Sequence, residues 1–296
     1  MSMLAALTRL LAPSVIGLAA LAGPVAAQAA APLKLQTYQA DEGSFHVSAT
    51  LISGETDAVL IDTGFTRADA LRIAAMVLDS RKTLRTIYIS QADPDFYFGI
   101  EVLKQYFPAA QVVATQATRD KIEASLQTKL QVWGPRLGAN APQGVPLPEA
   151  LSDTQLLLEG QALEIRGLDG AAPHRSYLWI PSLRAIVGGV NVFAGLHAWT
   201  ADTQSTEARA AWIQTLDAMT ALDPQIVVPG HARPGAEHDA SQIAYTRAYL
   251  TRFESELATA ADSADLIKAM QQAYPEAGLG IALEIGAKVN TGEMDW

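Results

Sequence analysis

Ile89-Ser90-Gln91-Ala92-Asp93-Pro94-Asp95-Phe96-Tyr97-Phe98-Gly99 follows directly on Thr86 to Ser90, a β-branched and aromatic run that predicts a strand. It opens a segment with helical spacing through Ile100, Leu103 and Phe107. A strand-to-helix corner throws several side chains together at the strand's C-terminal edge, where open α/β sheets place chemistry. Asp93 and Asp95 stand there with only Pro94 between them. At the start of a helix, carboxylates also complement the dipole, and Pro suits the first turn, so capping is a structural explanation of the same residues.

The neighbouring segments alternate strand and helix patterns. Leu33 to Tyr38, His46 to Ser53 and Ala58 to Ile61 predict a β-meander, with a hairpin turn at Gly54-Glu55-Thr56. Thr66 with Asp69 three positions on forms a capping pattern, and Leu71, Ala74, Ala75 and Leu78 are the expected buried stripe of the helix that follows. Gln111 to Thr115 predicts another strand. A polar helix is expected over Gln116 to Trp133, and Gly134 to Pro148 is rich in Gly and Pro. Together 116–150 reads as a surface excursion or lid, with Trp133 a candidate anchor. Strands at Leu163 to Leu168, Ser176 to Ile180 and Ala185 to Val187 precede a helix from about Glu207 to Leu222, with Trp212, Leu216 and Met219 on one face. Strand Gln225 to Val228 ends in Pro229-Gly230-His231. A long helix, about Asp239 to Ala260, turns Ile243, Leu250, Phe253 and Leu257 inward, and a helical tail completes a C-terminal part over 236–296. This order favours a layered α/β architecture.

The chain of 296 residues is 49% hydrophobic and 18% charged, with a formal net charge of -10. That composition belongs to a packed globule, and the acidic balance excludes the basic footprint that nucleic acid or an anionic membrane requires. Arg9, the apolar run Leu10 to Leu21 and the small residues from Gly23 to Ala31 read as an export signal over 1–31, and Pro13 and Pro24 argue against a retained anchor. A periplasmic or secreted protein, with no stable membrane association once the signal is removed, is expected. The absence of cysteine excludes disulfides, a thiolate nucleophile and Cys-type zinc sites. No Gly-rich phosphate loop and no Gly-x-Ser-x-Gly elbow is present.

Leu60-Ile61-Asp62-Thr63-Gly64, the Gln91-to-Gly99 segment, Gly188-Gly189 and Pro229-Gly230-His231 stand in the order and approximate spacing of the metallo-β-lactamase superfamily, which this chain resembles from about Leu33 to His231. The resemblance implies a four-layer αβ/βα sandwich with extra C-terminal helices, forming one domain over 32–296. It also implies a site along one sheet edge and hydrolysis by metal-activated water. Position by position, Gln91, Asp93 and Phe96 stand where the family's His-x-His-x-Asp-His motif has histidines, and Asp95 keeps the family's carboxylate. His231 matches the final histidine. Val190 falls where a bridging Asp is expected, with Asn191 its nearest polar neighbour. Asp169 and His174 are equal candidates for the middle ligand, and His197 is a further one.

Two carboxylates and one imidazole with an oxygen-rich shell suit one divalent ion, such as Zn, Mn or Fe, better than two. Asp93, Asp95, His231, His174 and Asp169 are the candidate ligands, and Asp93 or Asp95 would serve as base. Asp62, Gln91, Phe96, Asn191 and His197 are expected in the pocket or behind it. Asp62 would brace the ligand loop through backbone N–H groups. For Phe96, Tyr97 and Phe98, core packing accounts for two of the three rings and leaves one as a candidate wall of a substrate pocket, and His46 is read as structural. The leading expectation is an exported hydrolase of a small ester, lactone or amide, with a β-lactam among the options. The second is a non-catalytic binding or regulatory protein on the same scaffold that has lost its ions. Gln91, Phe96 and Val190 favour the second.

Overall fold

The structure, a computed structural model, describes residues 31–296. The expected export signal therefore lies, except for its last residue, outside the described residues. Among the described residues no helix is long and apolar enough to cross a membrane.

The chain opens with β1 (Lys34–Gln39), β2 (Ser48–Ser53) and β3 (Asp57–Ile61), an antiparallel meander. Next come α1 (Arg67–Ser80), β4 (Thr83–Ile89), the single turn α2 (Pro94–Tyr97), α3 (Ile100–Tyr106) and β5 (Gln111–Thr115). Helix α4 (Gln116–Leu137) leads to β6 (Glu149–Leu151), which completes a six-stranded sheet in the order β1-β2-β3-β4-β5-β6. From β3 onward its pairings are parallel. The second half supplies β7 (Gln155–Leu158), β8 (Gln161–Arg166), β9 (Tyr177–Ile180) and β10 (Ala185–Val187). It continues with β11 (Phe193–Ala194), α5 (Thr206–Ala221), β12 (Ile226–Val227) and β13 (His231–Ala232). The second sheet runs β12-β10-β9-β8-β7, and β11 pairs with β13. Helices α6 (Ser241–Leu257), α7 (Ser263–Ala273) and α8 (Gly280–Asn290) end the chain.

Strand periodicity decides the layering, because successive side chains point to opposite faces. In the first sheet Leu51, Leu60, Ile87, Ile89, Val112 and Ala114 pack outward against Ile73 and Val77 of α1, Leu103 of α3 and Ile122 of α4. Their neighbours Ile52, Val59, Ile61, Tyr88 and Val113 face the other way and meet Leu163, Ile165, Leu178, Ile180 and Val187 of the second sheet. The outer face of that sheet, with Trp179 and Ile186, lies under Trp212 and Leu216 of α5 and Tyr249 and Phe253 of α6. Helix, sheet, sheet and helix therefore stack as the expected four layers.

Several local expectations need correction. Leu71 and Leu78 are 46% and 57% exposed, and the buried stripe of α1 is Ala70, Ile73, Ala74 and Val77. The stripe is displaced because Thr66 and Asp69 close the capping box and fix the helix phase from its first turn. The strands β6 and β7 are additional elements; β6 is short and largely exposed, and β7 is an edge strand that leaves Leu157 64% exposed. The polar helix runs four residues past Trp133, through Pro135. His46 sits in a turn with φ 56° rather than in a strand.

Asp69 does more than cap. It accepts from Tyr38 Oη and Ser44 Oγ, each at 2.6 Å, so it ties β1 and the following turn to α1. Gly99 makes the closest approach in this half: its N–H donates to the Gly64 carbonyl at 3.2 Å, and a Cβ there would lie 2.0 Å from the Thr63 carbonyl oxygen. Gly99→Ala should therefore destabilise by about 3 kcal/mol or more, since the obstacle is backbone and cannot swing aside. A urea midpoint unchanged from wild type would show that the two loops separate at little cost.

Candidate functional site

The two sheets meet at one corner, where the loops after β3, β4 and β10 converge with the loop before β9. Ser90 is the junction. Asp62 adopts φ 64°, a left-handed conformation Asp tolerates. Its carboxylate accepts from Ser90 N at 2.8 Å and Ser90 Oγ at 2.7 Å. Ser90 Oγ in turn accepts from Gly189 N at 2.7 Å, and Ser176 Oγ donates to the Ser90 carbonyl at 3.3 Å. Gly189 has φ 79°, and a Cβ there would meet the Ser176 carbonyl at 2.4 Å, which is why Gly188-Gly189 occupies this turn. Asp62 thus braces the loop that carries Gln91, Asp93 and Asp95.

Asp95 and His231 come together. Both are buried, and Asp95 Oδ2 lies 3.6 Å from His231 Nε2. His231 Nδ1 is 2.9 Å from the Phe45 carbonyl and must be the protonated nitrogen there, which leaves the Nε2 lone pair facing Asp95. Phe193 stacks on the imidazole at 4.9 Å, and Phe96 meets it edge-on at 5.6 Å. Burial lowers His231 to about 4. Burial, and then the charge of Asp93, push the Asp95 carboxyl well above the usual range. Both effects favour an uncharged pair with its proton on Asp95.

Asp93 is committed elsewhere. Its Oδ1 lies 3.2 Å from Lys129 Nζ, and its Oδ2 accepts from Gln91 Nε2 at 3.2 Å. Burial works against the Lys129 ammonium, but the Asp93 charge prevails and raises it above its ordinary value. Gln91 Oε1 turns back to Ala92 N at 2.9 Å. Asp93 is the N-cap residue of α2 but makes no capping bond, and Pro94 follows it in the first turn.

The other candidates separate. Asn191 is buried and donates to the Arg175 carbonyl at 2.9 Å. His174 is half-buried, its carbonyl accepting from Thr118 Oγ1 at 3.3 Å, and burial lowers its imidazole from the ordinary value. Asp169 is exposed. His197 is buried in the helical core, with Nδ1 3.1 Å from Tyr249 Oη, and burial holds it at about 4. Its aromatic neighbours are packing partners rather than pocket walls. Phe96, Tyr97 and Phe98 are all buried.

Three contributors are not apparent from the sequence: Lys129, Arg175 and Asp202. Lys129 and Trp133, one helical turn apart on α4, both reach inward; Trp133 packs edge-on to Phe45 and Phe65, each at 5.4 Å. Their i, i+4 spacing is the available signal. Arg175 is buried, with its guanidinium over Trp212 at 4.6 Å. Asp202 Oδ1 accepts from Trp296 Nε1 at 2.7 Å.

A family model described as the metallo-beta-lactamase superfamily matches residues 43–231, and the chain belongs to that superfamily. The structure is similar to a metallo-beta-lactamase family protein from Thermus thermophilus, with TM-score 0.60 and 16% identity over 88% of this chain and 92% of that one. It is similar also to a beta-lactamase domain protein from Burkholderia ambifaria, with TM-score 0.62 and 14% identity over 88% and 84%. At these identities the likeness shows the fold. No curated protein matches the sequence.

Members of the superfamily typically bind divalent metals, usually zinc. The residues at this corner do not fit such a centre. Phe96 and Val190 bring no donor atom, Gln91 is turned into its own loop, and Asp93 is paired with an ammonium. Asp95 Oδ2 and His231 Nε2 are the two donor atoms left facing one another, whereas zinc requires three or four protein ligands. Among the described residues no group of three or more His, Asp or Glu side chains converges to hold an ion.

Burial raises Asp62 to about 7, against the hydrogen bonds from Ser90 that lower it. Between about 4, the value in the unfolded chain, and about 7, the folded protein keeps a proton that the unfolded chain has released. The stability this group supplies is full at low pH and lost as pH rises through that window. From pH 5 to pH 8, wild type should lose on the order of 2 kcal/mol relative to Asp62→Asn, read from urea unfolding at each pH. A difference that does not change with pH would show that Asp62 is already ionised in the folded protein.

Proposed function

We propose that this chain is an exported small-molecule-binding protein on the metallo-β-lactamase scaffold, with a corner that works through protein side chains in place of a divalent ion. One observation carries the reading: the Asp93 carboxylate, which would serve as a ligand, is paired with Lys129. The burial of Arg175 beside the same loop adds a second fixed cation, and repulsion between it and an incoming ion further disfavours metal entry. An acidic chain without cysteine, opening on a signal-like segment, agrees with export and with a small-molecule partner rather than nucleic acid.

A second reading keeps the hydrolysis of a small ester, lactone or amide. It draws on the Asp95–His231 pair, because a neutral imidazole beside a protonated carboxyl is a general acid–base arrangement. The burial of both side chains favours the binding role, since a base must reach the water it activates.

The test is metal content and thermal response of protein purified without chelator. Less than about a tenth of an equivalent of Zn, Mn or Fe is expected, and about 1 mM zinc should leave Tm unchanged. A site of about micromolar affinity would instead raise Tm by roughly 8 °C at that concentration. Stoichiometric metal, lost in Asp95→Ala together with esterase activity, would overturn the binding reading in favour of a metal-dependent hydrolase.

A further inference from the structure

The Arg175 side chain is 7% exposed, yet among the described residues its guanidinium has neither a hydrogen-bond acceptor nor a carboxylate at ion-pair distance, and its Nε is enclosed and unpartnered. A guanidinium stays charged, carries five donors in a fixed fork, and is costly to bury without an acceptor. Its setting is rigid. The plane lies on the Trp212 ring, the Trp212 indole N–H donates to the Asn191 carbonyl at 2.9 Å, and Asn191 Nδ2 donates to the Arg175 carbonyl at 2.9 Å. That closed circuit fixes both the backbone that carries the guanidinium and the surface beneath it. A β-bridge to Gln91 sets Arg175 beside the Gln91-to-Asp95 loop.

We propose that Arg175 is the anchor for the carboxylate of a small organic acid bound at this corner, an assignment that rests on the ion-free binding reading above. The negative groups whose charge acts on Arg175 are Asp202 and Asp93, and both have other partners, the Trp296 indole for one and Lys129 with Gln91 for the other. Neither carboxylate lies at ion-pair distance from the guanidinium, so the fork is left without a direct acceptor, which a single planar carboxylate would supply. A planar carboxylate meets the fork through two parallel N–H···O bonds. A phosphate dianion would bring a second negative charge towards Asp93 and Asp202 with no second free cation to receive it.

Calorimetric titration of the purified full chain with benzoate, benzamide and inorganic phosphate tests the assignment. Benzoate should bind at least about tenfold more tightly than its amide and than phosphate, because only the acid offers the charged, bidentate acceptor. Arg175→Met should lose at least about tenfold in benzoate affinity and Arg175→Lys should fall between, since a lysine keeps the charge and loses the fork. Should the Met variant fail to fold, protection of Arg175 from phenylglyoxal by benzoate, mapped by mass spectrometry on wild type, gives the same answer. Equal binding of acid and amide, tighter binding of phosphate, undiminished affinity in a folded Arg175→Met, or no protection would each overturn the assignment. Repeating the titration in chelator separates it from the reading beneath it: a benzoate affinity lost only in chelator counts against the ion-free corner, whereas the acid and amide comparison reports on Arg175.

Discussion

Ser90, at the end of the fourth strand, is the point through which the rest of the corner is aligned. Its backbone N–H and hydroxyl both go to Asp62, its oxygen receives the Gly189 N–H, and its carbonyl receives Ser176. Four loops from two sheets are thereby held to one residue that is wholly buried. A buried network of this kind is favourable only when each member is satisfied, and it then specifies one arrangement. Because Asp62 and Gly189 come from opposite sheets, packing between the layers alone would allow the sheets to slide; these bonds set the register of the loops that present Asp93, Asp95 and His231.

On that frame the charges are balanced within the chain. Asp93 has Lys129 and Gln91, His231 has the Phe45 carbonyl on one nitrogen and Asp95 before the other, and the aromatic rings of Phe96 and Phe193 enclose the imidazole. An ion in this place would have to displace an ammonium, approach a buried guanidinium and manage with few donors. The long helix α4 is central to this, since it contributes Lys129 to the site and Trp133 to the Phe45 turn whose carbonyl holds His231. Scaffold and chemistry are thus separable: superfamily membership fixes where a site lies, and the individual side chains decide what it does.

The architecture is legible in the sequence because it rests on local patterns. Alternation in Leu51-Ile52, Val59-Leu60-Ile61 and Ile87-Tyr88-Ile89 reports two buried sheet faces, and the glycines at 99, 188 and 189 mark the tight loops. The Asp62 brace is legible because a strand-end Asp followed by Thr63-Gly64 is placed to accept backbone N–H bonds, although its partner, Ser90, lies 28 residues on. What is not legible depends on contacts far apart in the chain. Lys129 lies 36 residues from Asp93, and its i, i+4 spacing with Trp133 is the one local hint that sets it apart from its solvated neighbours. The fate of His197 is decided by Tyr249, 52 residues away. Arg175 does not stand out beside His174 in the sequence, although a buried, unpartnered guanidinium is the rarer condition. The phase of α1 differs by one residue from the leucine pattern because its capping box, rather than its leucines, sets the rotation.

The central claim is that the corner's charges are met by the protein's own cations and leave no place for an ion. Diffraction from crystals grown with excess zinc, recorded at the zinc absorption edge, addresses it most directly. No anomalous density is expected beside Asp95 and His231, with the Asp93 to Lys129 pair intact. A peak about 2.0 to 2.2 Å from both Asp95 Oδ2 and His231 Nε2, with Lys129 swung away from Asp93, would contradict it.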